Sequence, residues 1–257
     1  MYKKKYGQNF LINNTISKKI LFAEKIENQN ILEIGTGNLA LTRLIITKKP
    51  KKFIGVEIDK ELRDVYLQNN ILDNIIFEDA LSVNERKLFK NGSFSVISNL
   101  PFNISSELII KWCRIQCSYK CINSMTLMFQ KELAERIIAK KNTKKYGRLS
   151  ILCSAFFLIE EKLKVSKNNF FPKPKVDAMV LKFIPHKENK IKSNNFIKLE
   201  KLTRLFFNER RKKNKKKIIK IFSGNQIIKH NLEKYYDLRA ENIDNKFFFK
   251  LCDILKL

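Results

Sequence analysis

The stretch Ile31-Leu32-Glu33-Ile34-Gly35-Thr36-Gly37 decides how this sequence folds. A short apolar run suited to a buried strand leads directly into a turn with two glycines, and a helix-like segment begins at Leu41. Glycines at a strand-to-helix turn let the backbone approach a ligand closely, because no Cβ stands in the way. The stretch therefore predicts the first βα unit of an open α/β sheet, with a ligand site at the carboxyl end of its strand.

The same alternation of short apolar runs and helix-like segments continues as far as Pro185. Besides the strand at 31–34, further strands are predicted at 53–58, 75–77, 94–98, 125–129, 162–165 and 179–184. Helices are predicted at 16–27, 41–49, 61–68, 105–113, 131–140 and 149–157. Strands that alternate with helices form mostly parallel sheets. Only the last two strands lack an intervening helix. The predicted fold class is therefore α/β, a mostly parallel seven-stranded sheet with an antiparallel hairpin at one edge.

Beyond Pro185 the strand signals stop and charge density rises. Helical periodicity takes over, with helices predicted at 196–207, 218–222 and 247–255. The polar segment 186–195 has the composition of a linker. We therefore predict two domains, an α/β domain over residues 1–185 and a small, basic, all-α domain over residues 186–257.

The overall charge indicates the kind of partner. The chain has 52 Lys+Arg against 25 Asp+Glu, a formal net charge of +27. Such a chain favours a polyanionic partner, either a nucleic acid or an acidic membrane surface. An AT-rich genome would produce part of the same Lys excess, so the placement of the charge has to decide. No run of about 18 or more apolar residues is present in the sequence, so no membrane-spanning helix is predicted.

Cysteine usage and the N-terminus predict a cytoplasmic protein. The five cysteines are an odd number, which fits reduced thiols better than a disulfide framework. The N-terminus lacks the apolar segment of a signal peptide. Cys113, Cys117 and Cys121 would share one face of a helix, but their spacing is not that of a metal knuckle, and no metal site is predicted. We expect a monomer.

Two carboxylates complete the site that begins at the glycine turn. Glu57 ends the second strand, twenty positions after Gly37, where a carboxylate can accept hydrogen bonds from ribose hydroxyls. Asp79 ends the third strand, where it can bond an adenine amino group.

Either a dinucleotide or S-adenosylmethionine fits the site formed by the glycine turn and these two carboxylates. The dinucleotide fingerprint requires a third small residue, and Leu39 beside Ala40 disfavours a pyrophosphate. The same turn would also serve merely to join a strand to a helix.

The tetrapeptide Asn99-Leu100-Pro101-Phe102 lies on the turn after the fourth strand. It combines a neutral amide, a residue with no backbone donor and an aromatic face. That combination suits a site that holds a flat nucleobase by its amino group, although Asn and Pro also mark ordinary turns.

A basic segment from Arg210 to Lys220 contains eight cations, next to a single Glu209. In one continuous helix these cations would surround the axis, and their mutual repulsion predicts a polyanion as the partner. A solvated, Lys-rich surface is the alternative interpretation.

Taken in order, these motifs resemble those of the KsgA-type family of small-subunit ribosomal RNA adenine dimethyltransferases. The matching segments are Lys5-Tyr6-Gly7-Gln8-Asn9-Phe10-Leu11, Glu33-Ile34-Gly35-x-Gly37, Leu41-Thr42, Val56-Glu57-Ile58-Asp59, Asp79-Ala80, Asn99-Leu100-Pro101-Phe102-Asn103-Ile104, Tyr146-Gly147-Arg148-Leu149-Ser150, Phe170-Phe171-Pro172-x-Pro174-Lys175-Val176-Asp177, Arg210-Arg211-Lys212 and Arg239-Ala240-Glu241-Asn242.

The resemblance implies a class I S-adenosylmethionine-dependent methyltransferase fold with a small C-terminal helical domain. It implies transfer of methyl groups from S-adenosylmethionine to the exocyclic N6 of two adjacent adenosines near the 3′ end of 16S rRNA. The substrate would be the 30S subunit or its precursor, and the enzyme would take part in subunit maturation. The resemblance assigns six residues to the cofactor pocket: Asn9, Leu11, Gly35, Glu57, Asp79 and Asn99. It assigns the docking of rRNA to Arg210, Arg211 and Lys212.

We assign the catalytic groups to Asn99, Leu100 and Phe102. The Asn99 side-chain oxygen and the Leu100 carbonyl would accept the two hydrogens of the adenine amine, and Phe102 would stack on the base. Phe170 or Phe171 would close the other side, unless both belong to the core.

The chain departs from the family pattern at Thr36, usually Pro, at Leu39, usually a small residue, and at Phe102, usually Tyr. The first two bear on cofactor affinity. Two alternative functions remain open: a non-catalytic ribosome-assembly factor, and a 23S rRNA adenine methyltransferase.

Overall fold

The computed structural model of the chain describes residues 7–22 and 24–255. The described residues form two compact units. The first unit consists of residues 7–134 and 159–185, and the second of residues 135–158 and 186–255. The second unit thus contains residues 135–158, which the predicted domain boundary places in the first domain.

The described residues contain nine strands. They are β1 (Phe10–Leu11), β2 (Asn30–Ile34), β3 (Lys52–Glu57), β4 (Ile75–Phe77), β5 (Phe94–Asn99), β6 (Ile122–Gln130), β7 (Phe157–Val165), β8 (Phe170–Phe171) and β9 (Ala178–Pro185). Each of the seven predicted strands overlaps an observed strand. Most of them are apolar runs rich in β-branched or aromatic residues, but the strand predicted at 162–165 begins five residues earlier, at Phe157. The two shortest strands, β1 and β8, were not predicted.

Seven strands form one sheet, in the order β4-β3-β2-β5-β6-β9-β7. β2 pairs in parallel with both β3 and β5, whereas β9 is antiparallel to β6. The predicted sheet, mostly parallel with an antiparallel hairpin at one edge, is confirmed. The strand order reverses between β2 and β5. In open α/β sheets the ligand crevice lies at this reversal, outside the carboxyl ends of the strands.

Eleven α-helices accompany the strands in the described part of the chain. They are α1 (Asn14–Leu21), α2 (Thr42–Thr47), α3 (Arg63–Gln68), α4 (Glu85–Leu88), α5 (Ser105–Tyr119), α6 (Lys131–Ile137), α7 (Arg148–Ser154), α8 (Phe196–Asn208), α9 (Lys215–Ile221), α10 (Gly224–His230) and α11 (Asn245–Ile254). The helix predicted at 16–27 is too long, since α1 ends at Leu21. None of these helices is long and apolar enough to cross a membrane.

The two units have separate cores. In the first unit, side chains of β2, α1 and the N-terminal segment pack into one apolar cluster that includes Leu11, Ile31 and Leu39. The second unit is built on aromatic contacts. The Phe206 ring meets the Phe248 ring edge to face, with centroids 5.3 Å apart. Such contacts add stabilisation beyond the burial of area.

Candidate active site

A cavity of about 310 Å³ opens at the carboxyl ends of β2, β3 and β5 in the first unit. It is lined by segments from 7–11, 33–41, 56–58, 78–80 and 99–104. Seven of the predicted site residues line it together: Asn9, Leu11, Gly35, Glu57, Asp79, Asn99 and Leu100. Lys5 and Tyr6 of the N-terminal motif lie outside the described residues.

The two glycines of the turn lie so close to neighbouring residues that a side chain would collide with them. Gly37 has φ +49°, and a Cβ built on it would lie 2.8 Å from the Phe10 ring. Gly35 has φ +72°, and its Cβ would meet Pro101 at 3.2 Å. Positive φ at both positions favours glycine. The turn therefore packs the N-terminal segment and the Asn99-Leu100-Pro101-Phe102 turn against the end of β2.

Glu57 projects into the cavity from the end of β3 and is almost fully buried. Its carboxylate accepts three backbone bonds, from Gly37 N–H at 3.1 Å, Ile58 N–H at 2.9 Å and Asp59 N–H at 3.0 Å. Burial raises the pKa of Glu57, and the three backbone donors partly offset this shift. The carboxylate is therefore held in one orientation beside the glycine turn.

A second acid, Glu33, also lines the cavity, although the sequence did not mark it as a site residue. It accepts a hydrogen bond from the Thr42 hydroxyl at 2.7 Å. Burial raises the pKa of Glu33 to about 8, and the negative charge of Glu57 adds to the shift. Glu33 is therefore largely protonated at neutral pH. Its place in the apolar run of β2 was the available signal, since a carboxyl in a buried strand requires a partner.

The two departures in the glycine turn have structural explanations. The Thr36 hydroxyl donates to the Tyr66 hydroxyl at 3.0 Å, in a buried pair beside Glu57. Leu39 has φ +66° and is completely buried in the apolar cluster of the first unit. Its side chain is not among those lining the cavity. The argument that the bulk of Leu39 disfavours a pyrophosphate therefore does not hold, because the turn directs this side chain into the core.

Asn99 ends β5 with its amide in a defined orientation. Its Nδ2 donates to the carbonyl of Asn9 at 3.0 Å. Its Oδ1 is buried and has no hydrogen-bond partner among the described residues. A buried acceptor with no partner is costly, and in native proteins it calls for a specific explanation. An acceptor held at the edge of the ligand cavity is available to a donor on the ligand.

The N-terminal segment is held in place along the cavity by several bonds. β1 pairs antiparallel with β8, with Phe10 opposite Phe171. The Asn38 side chain donates to the Leu11 carbonyl at 3.0 Å, and Gln8 donates to Asp59 at 2.9 Å. Asp59 is itself buried.

The aromatic residues near Asn99 divide into buried and exposed ones. Phe102 is not among the residues that line the cavity; it is partly buried against the apolar cluster of the first unit. Its ring meets the Phe170 ring at a tilt of 64° with centroids 6.5 Å apart. Phe170 is buried, whereas Phe171 is 60% exposed. A core position for Phe171 is therefore wrong. The strand alternation of β8 turns the two neighbouring rings to opposite sides.

In the second unit, the basic segment is not one helix. α8 ends at Asn208 and α9 begins at Lys215, so residues 209–214 form a turn. Asn214 explains the break, because its backbone N–H bonds the Tyr236 and Leu238 carbonyls at 3.1 Å. The prediction of cations surrounding one helix axis is therefore wrong.

The cations of this segment have different surroundings. Arg210 bonds Glu241 at 2.6 Å and the Tyr146 carbonyl at 3.3 Å. Lys217 is buried and donates to the Phe206 carbonyl at 2.8 Å, where it satisfies the end of α8; burial lowers its pKa. Arg211 is exposed.

Lys212 is also exposed and forms an ion pair with Glu209 at 2.6 Å. The predicted residues Arg210, Arg211 and Lys212 are thus contiguous, but two of them, Arg210 and Lys212, form ion pairs within the fold.

The residues around the cavity fit S-adenosylmethionine. Glu57 can accept from ribose hydroxyls, and Asp79 from an adenine amine. Gly35 and Gly37 both line the cavity, and the Asn99 Oδ1 atom lacks a partner within residues 7–22 and 24–255.

Comparisons with known proteins agree with this chemistry. The family described as ribosomal RNA adenine dimethylase matches residues 1–255. The ribosomal RNA small subunit methyltransferase A of Pelagibacter ubique (strain HTCC1062) is 40% identical over 250 residues, which cover 97% of this chain and 95% of that protein. A solved dimethyladenosine transferase from Plasmodium falciparum has a TM-score of 0.76 at 28% identity, covering 94% of this chain and 95% of that one. The structure of the 23S rRNA methyltransferase ErmE has a TM-score of 0.69 at 22% identity, covering 96% and 99% of the two chains, a likeness of fold alone.

The family match extends over both units and includes the glycine turn, the two carboxylates and the Asn99 turn. Its chemistry uses S-adenosylmethionine, so the dinucleotide alternative is wrong. The chain therefore belongs to the ribosomal RNA adenine dimethylase family and is an S-adenosylmethionine-dependent methyltransferase that acts on ribosomal RNA adenine.

Proposed function

We propose that this enzyme dimethylates the N6 atoms of two adjacent adenosines near the 3′ end of 16S rRNA, within the 30S subunit or its precursor. The support comes from curated relatives named as small-subunit methyltransferases, at 35–40% identity over nearly the whole chain. The likeness to ErmE extends to fold alone and does not favour 23S rRNA.

We assign the cofactor pocket to Asn9, Leu11, Gly35, Glu57, Asp79 and Asn99. S-adenosylmethionine, when bound, supplies an electrophilic methyl group on a sulfonium. Glu57 would hold the ribose, and Asp79 the adenine amine. Gly35 lines the cavity at the end of β2, where its close contact with Pro101 leaves no space for a Cβ.

The observation that carries the proposal is the unpartnered Oδ1 of Asn99. The amine of the target adenine is a poor nucleophile, because its lone pair is delocalised into the ring. To react, it must pyramidalise and direct its two hydrogens to acceptors, which we assign to Asn99 Oδ1 and the Leu100 carbonyl. Such acceptors act by preorganised electrostatics. No strong base is required, since the product ammonium is itself acidic.

The target base must leave its stack to reach this pocket. We assign the stacking face to Phe102, the last residue of the Asn99-Leu100-Pro101-Phe102 turn. Base stacking on an aromatic side chain contributes about 1–3 kcal/mol. Phe170 packs against Phe102 edge to face and holds it in place.

We assign rRNA docking to Arg210, Arg211 and Lys212, with different contributions. Arg211 is exposed, and its charge is available to phosphates. Lys212 is also exposed, but it forms an ion pair with Glu209. Arg210 is engaged by Glu241, so we expect it to support the shape of the turn. We further propose that the enzyme acts as a cytoplasmic monomer during maturation of the small subunit.

The test is incubation of unmethylated 30S particles with the enzyme and labelled S-adenosylmethionine, followed by nucleoside analysis and mapping of the modified positions. Two adjacent dimethyladenosines near the 3′ end of 16S rRNA are expected. Label only in 23S rRNA, when both subunits are offered, would favour the 23S alternative. Binding to 30S particles without cofactor binding or product would favour an assembly factor.

A further inference from the structure

We propose that Lys111 is a positioning residue that sets the geometry of the Asp79 carboxylate for recognition of the cofactor's adenine. The inference rests on the proposed function, in which Asp79 accepts from the adenine amine. Lys111 lies on α5, outside the residues that line the cavity and outside every motif that carries the family resemblance.

The Lys111 ammonium is surrounded by three acceptors. Its Nζ donates to the Ala80 carbonyl at 2.8 Å and to the Val83 carbonyl at 2.6 Å, and it lies 3.0 Å from Glu85 Oε1. An ammonium has three N–H donors, so each of them has an acceptor here. The Lys111 side chain is only 21% exposed and that of Glu85 only 2%, so water competes weakly for these bonds.

The Glu85 carboxylate is itself held in place, so it gives the Lys111 ammonium an acceptor in a fixed position. It is the first residue of α4, and its Oε1 also accepts from the indole N–H of Trp112 at 3.0 Å. Trp112 is completely buried and follows Lys111 directly on α5. Both donors therefore come from one rigid helix, and they hold the loop between β4 and α4 against it.

One peptide unit connects Lys111 to Asp79. The Ala80 carbonyl accepts from Lys111, and the Leu81 N–H of the same peptide unit donates to Asp79 Oδ1 at 2.9 Å. A trans peptide unit is planar, with its C=O and N–H on opposite sides. Fixing the direction of the carbonyl therefore also fixes the N–H that orients the carboxylate. The Ser82 N–H closes the turn on the Asp79 carbonyl at 2.9 Å.

This arrangement matters because Asp79 is exposed at the cavity edge, just beyond the short strand β4. A carboxylate in such a place loses rotational freedom when it binds a ligand, and that loss weakens binding. Lys111 reduces the loss in advance by holding the peptide unit that orients Asp79. The ammonium acts through the backbone and touches no ligand.

The test is a double-mutant cycle on the dissociation constant of S-adenosylhomocysteine, measured by calorimetry on the full chain. We expect Lys111→Met to raise this Kd about tenfold in the wild-type background. In an Asp79→Ala background the same change should raise it less than twofold, because the group through which Lys111 acts is gone. Equal factors in both backgrounds would overturn the inference.

Lys162→Met is the matched control. The Lys162 side chain is 20% exposed and pairs with Glu24, whose side chain is 3% exposed, so its burial closely resembles that of the Lys111 pair. Neither residue lines the cavity. We expect Lys162→Met to lower stability while leaving the Kd within twofold. A tenfold change in this control would show that loss of any such ion pair weakens binding, and would overturn the inference.

Two further measurements keep the outcomes distinct. If Lys111→Met does not fold, Lys111→Gln takes its place in the same double-mutant cycle, because its amide still donates two hydrogen bonds. We then expect the effect of Lys111→Gln on the Kd to differ at least twofold between the wild-type and Asp79→Ala backgrounds. Equal effects in both backgrounds again overturn the inference. A wild type that does not bind S-adenosylhomocysteine contradicts the proposed function and this inference with it. If the wild type binds S-adenosylhomocysteine and Asp79→Ala weakens that binding, but the Lys111 change has the same effect in both backgrounds, only the inference about Lys111 is contradicted.

Discussion

Replacing Asn99 tests two roles of its side-chain amide: Nδ2 holds the N-terminal segment, and Oδ1 accepts from the reacting amine. Nδ2 holds the N-terminal segment through the Asn9 carbonyl at 3.0 Å, whereas the buried Oδ1 has no partner among the described residues. Asn99→Ala removes both atoms. Loss of the Nδ2 bond costs about 1 kcal/mol, which corresponds to about fivefold in the Kd for S-adenosylmethionine. Loss of one preorganised electrostatic group costs about 10²–10³ in kcat.

The assay is single-turnover methyl transfer to unmethylated 30S particles, together with calorimetric binding of S-adenosylhomocysteine. We expect Asn99→Ala to lose at least a hundredfold in rate but no more than about fivefold in cofactor affinity. A rate within threefold of wild type would falsify the assignment of Oδ1 as an acceptor for the reacting amine. Thermal unfolding of the variant serves as the control for folding.

Asn99→Asp sharpens the same test. It retains an acceptor oxygen toward the cavity but places a second oxygen opposite the Asn9 carbonyl, where Nδ2 now donates. We expect its rate to exceed that of Asn99→Ala at least tenfold, and its affinity for S-adenosylhomocysteine to be lower. The opposite order for either quantity would contradict the division of tasks.

Four further predictions follow from the site and the basic turn. Glu33→Gln should flatten the pH dependence of the free energy of unfolding. Folding raises the pKa of Glu33 from 4.5 to about 8, so the wild type should lose about 3–4 kcal/mol relative to the variant between pH 5 and pH 8, which urea unfolding at these two pH values will measure. Gly37→Ala should raise the Kd for S-adenosylmethionine at least about tenfold, because its Cβ would lie 2.8 Å from the Phe10 ring. Arg211→Ala should weaken rRNA binding and reduce the slope of log K against log salt by about 0.7–0.9, without loss of stability. Arg210→Ala should instead lower the free energy of unfolding by about 1–2 kcal/mol, because it breaks a charge-assisted bond within the fold.

The seven strands of the main sheet and the glycine turn were predictable from local sequence. Each strand is an apolar run bounded by turn residues, and the two carboxylates at 57 and 79 follow strands that end at the same edge of the sheet. Seven of the predicted residues consequently line one cavity. These features depend on neighbours a few positions away, and the sequence shows such neighbours directly.

The short pair β1 and β8 could not be predicted in this way. Each strand has only two residues, and their partners are about 160 positions apart along the chain. The break in the basic segment has the same origin, since Asn214 is held by carbonyls of Tyr236 and Leu238 that no local pattern relates to it. The grouping of residues 135–158 with the C-terminal helices is likewise a matter of long-range packing.

The sequence by itself determined the class of fold, the order of the elements and the chemical types of the groups at the strand ends. The tertiary structure alone decided the orientation of the Asn99 amide and the protonation of Glu33. It also decided that Arg210 is engaged by Glu241 whereas Arg211 is exposed. The physical reason is that hydrogen-bond direction and burial depend on atoms distant in the chain. Asn99 and Asn9 lie 90 positions apart, and only folding brings the carbonyl of one to the amide of the other.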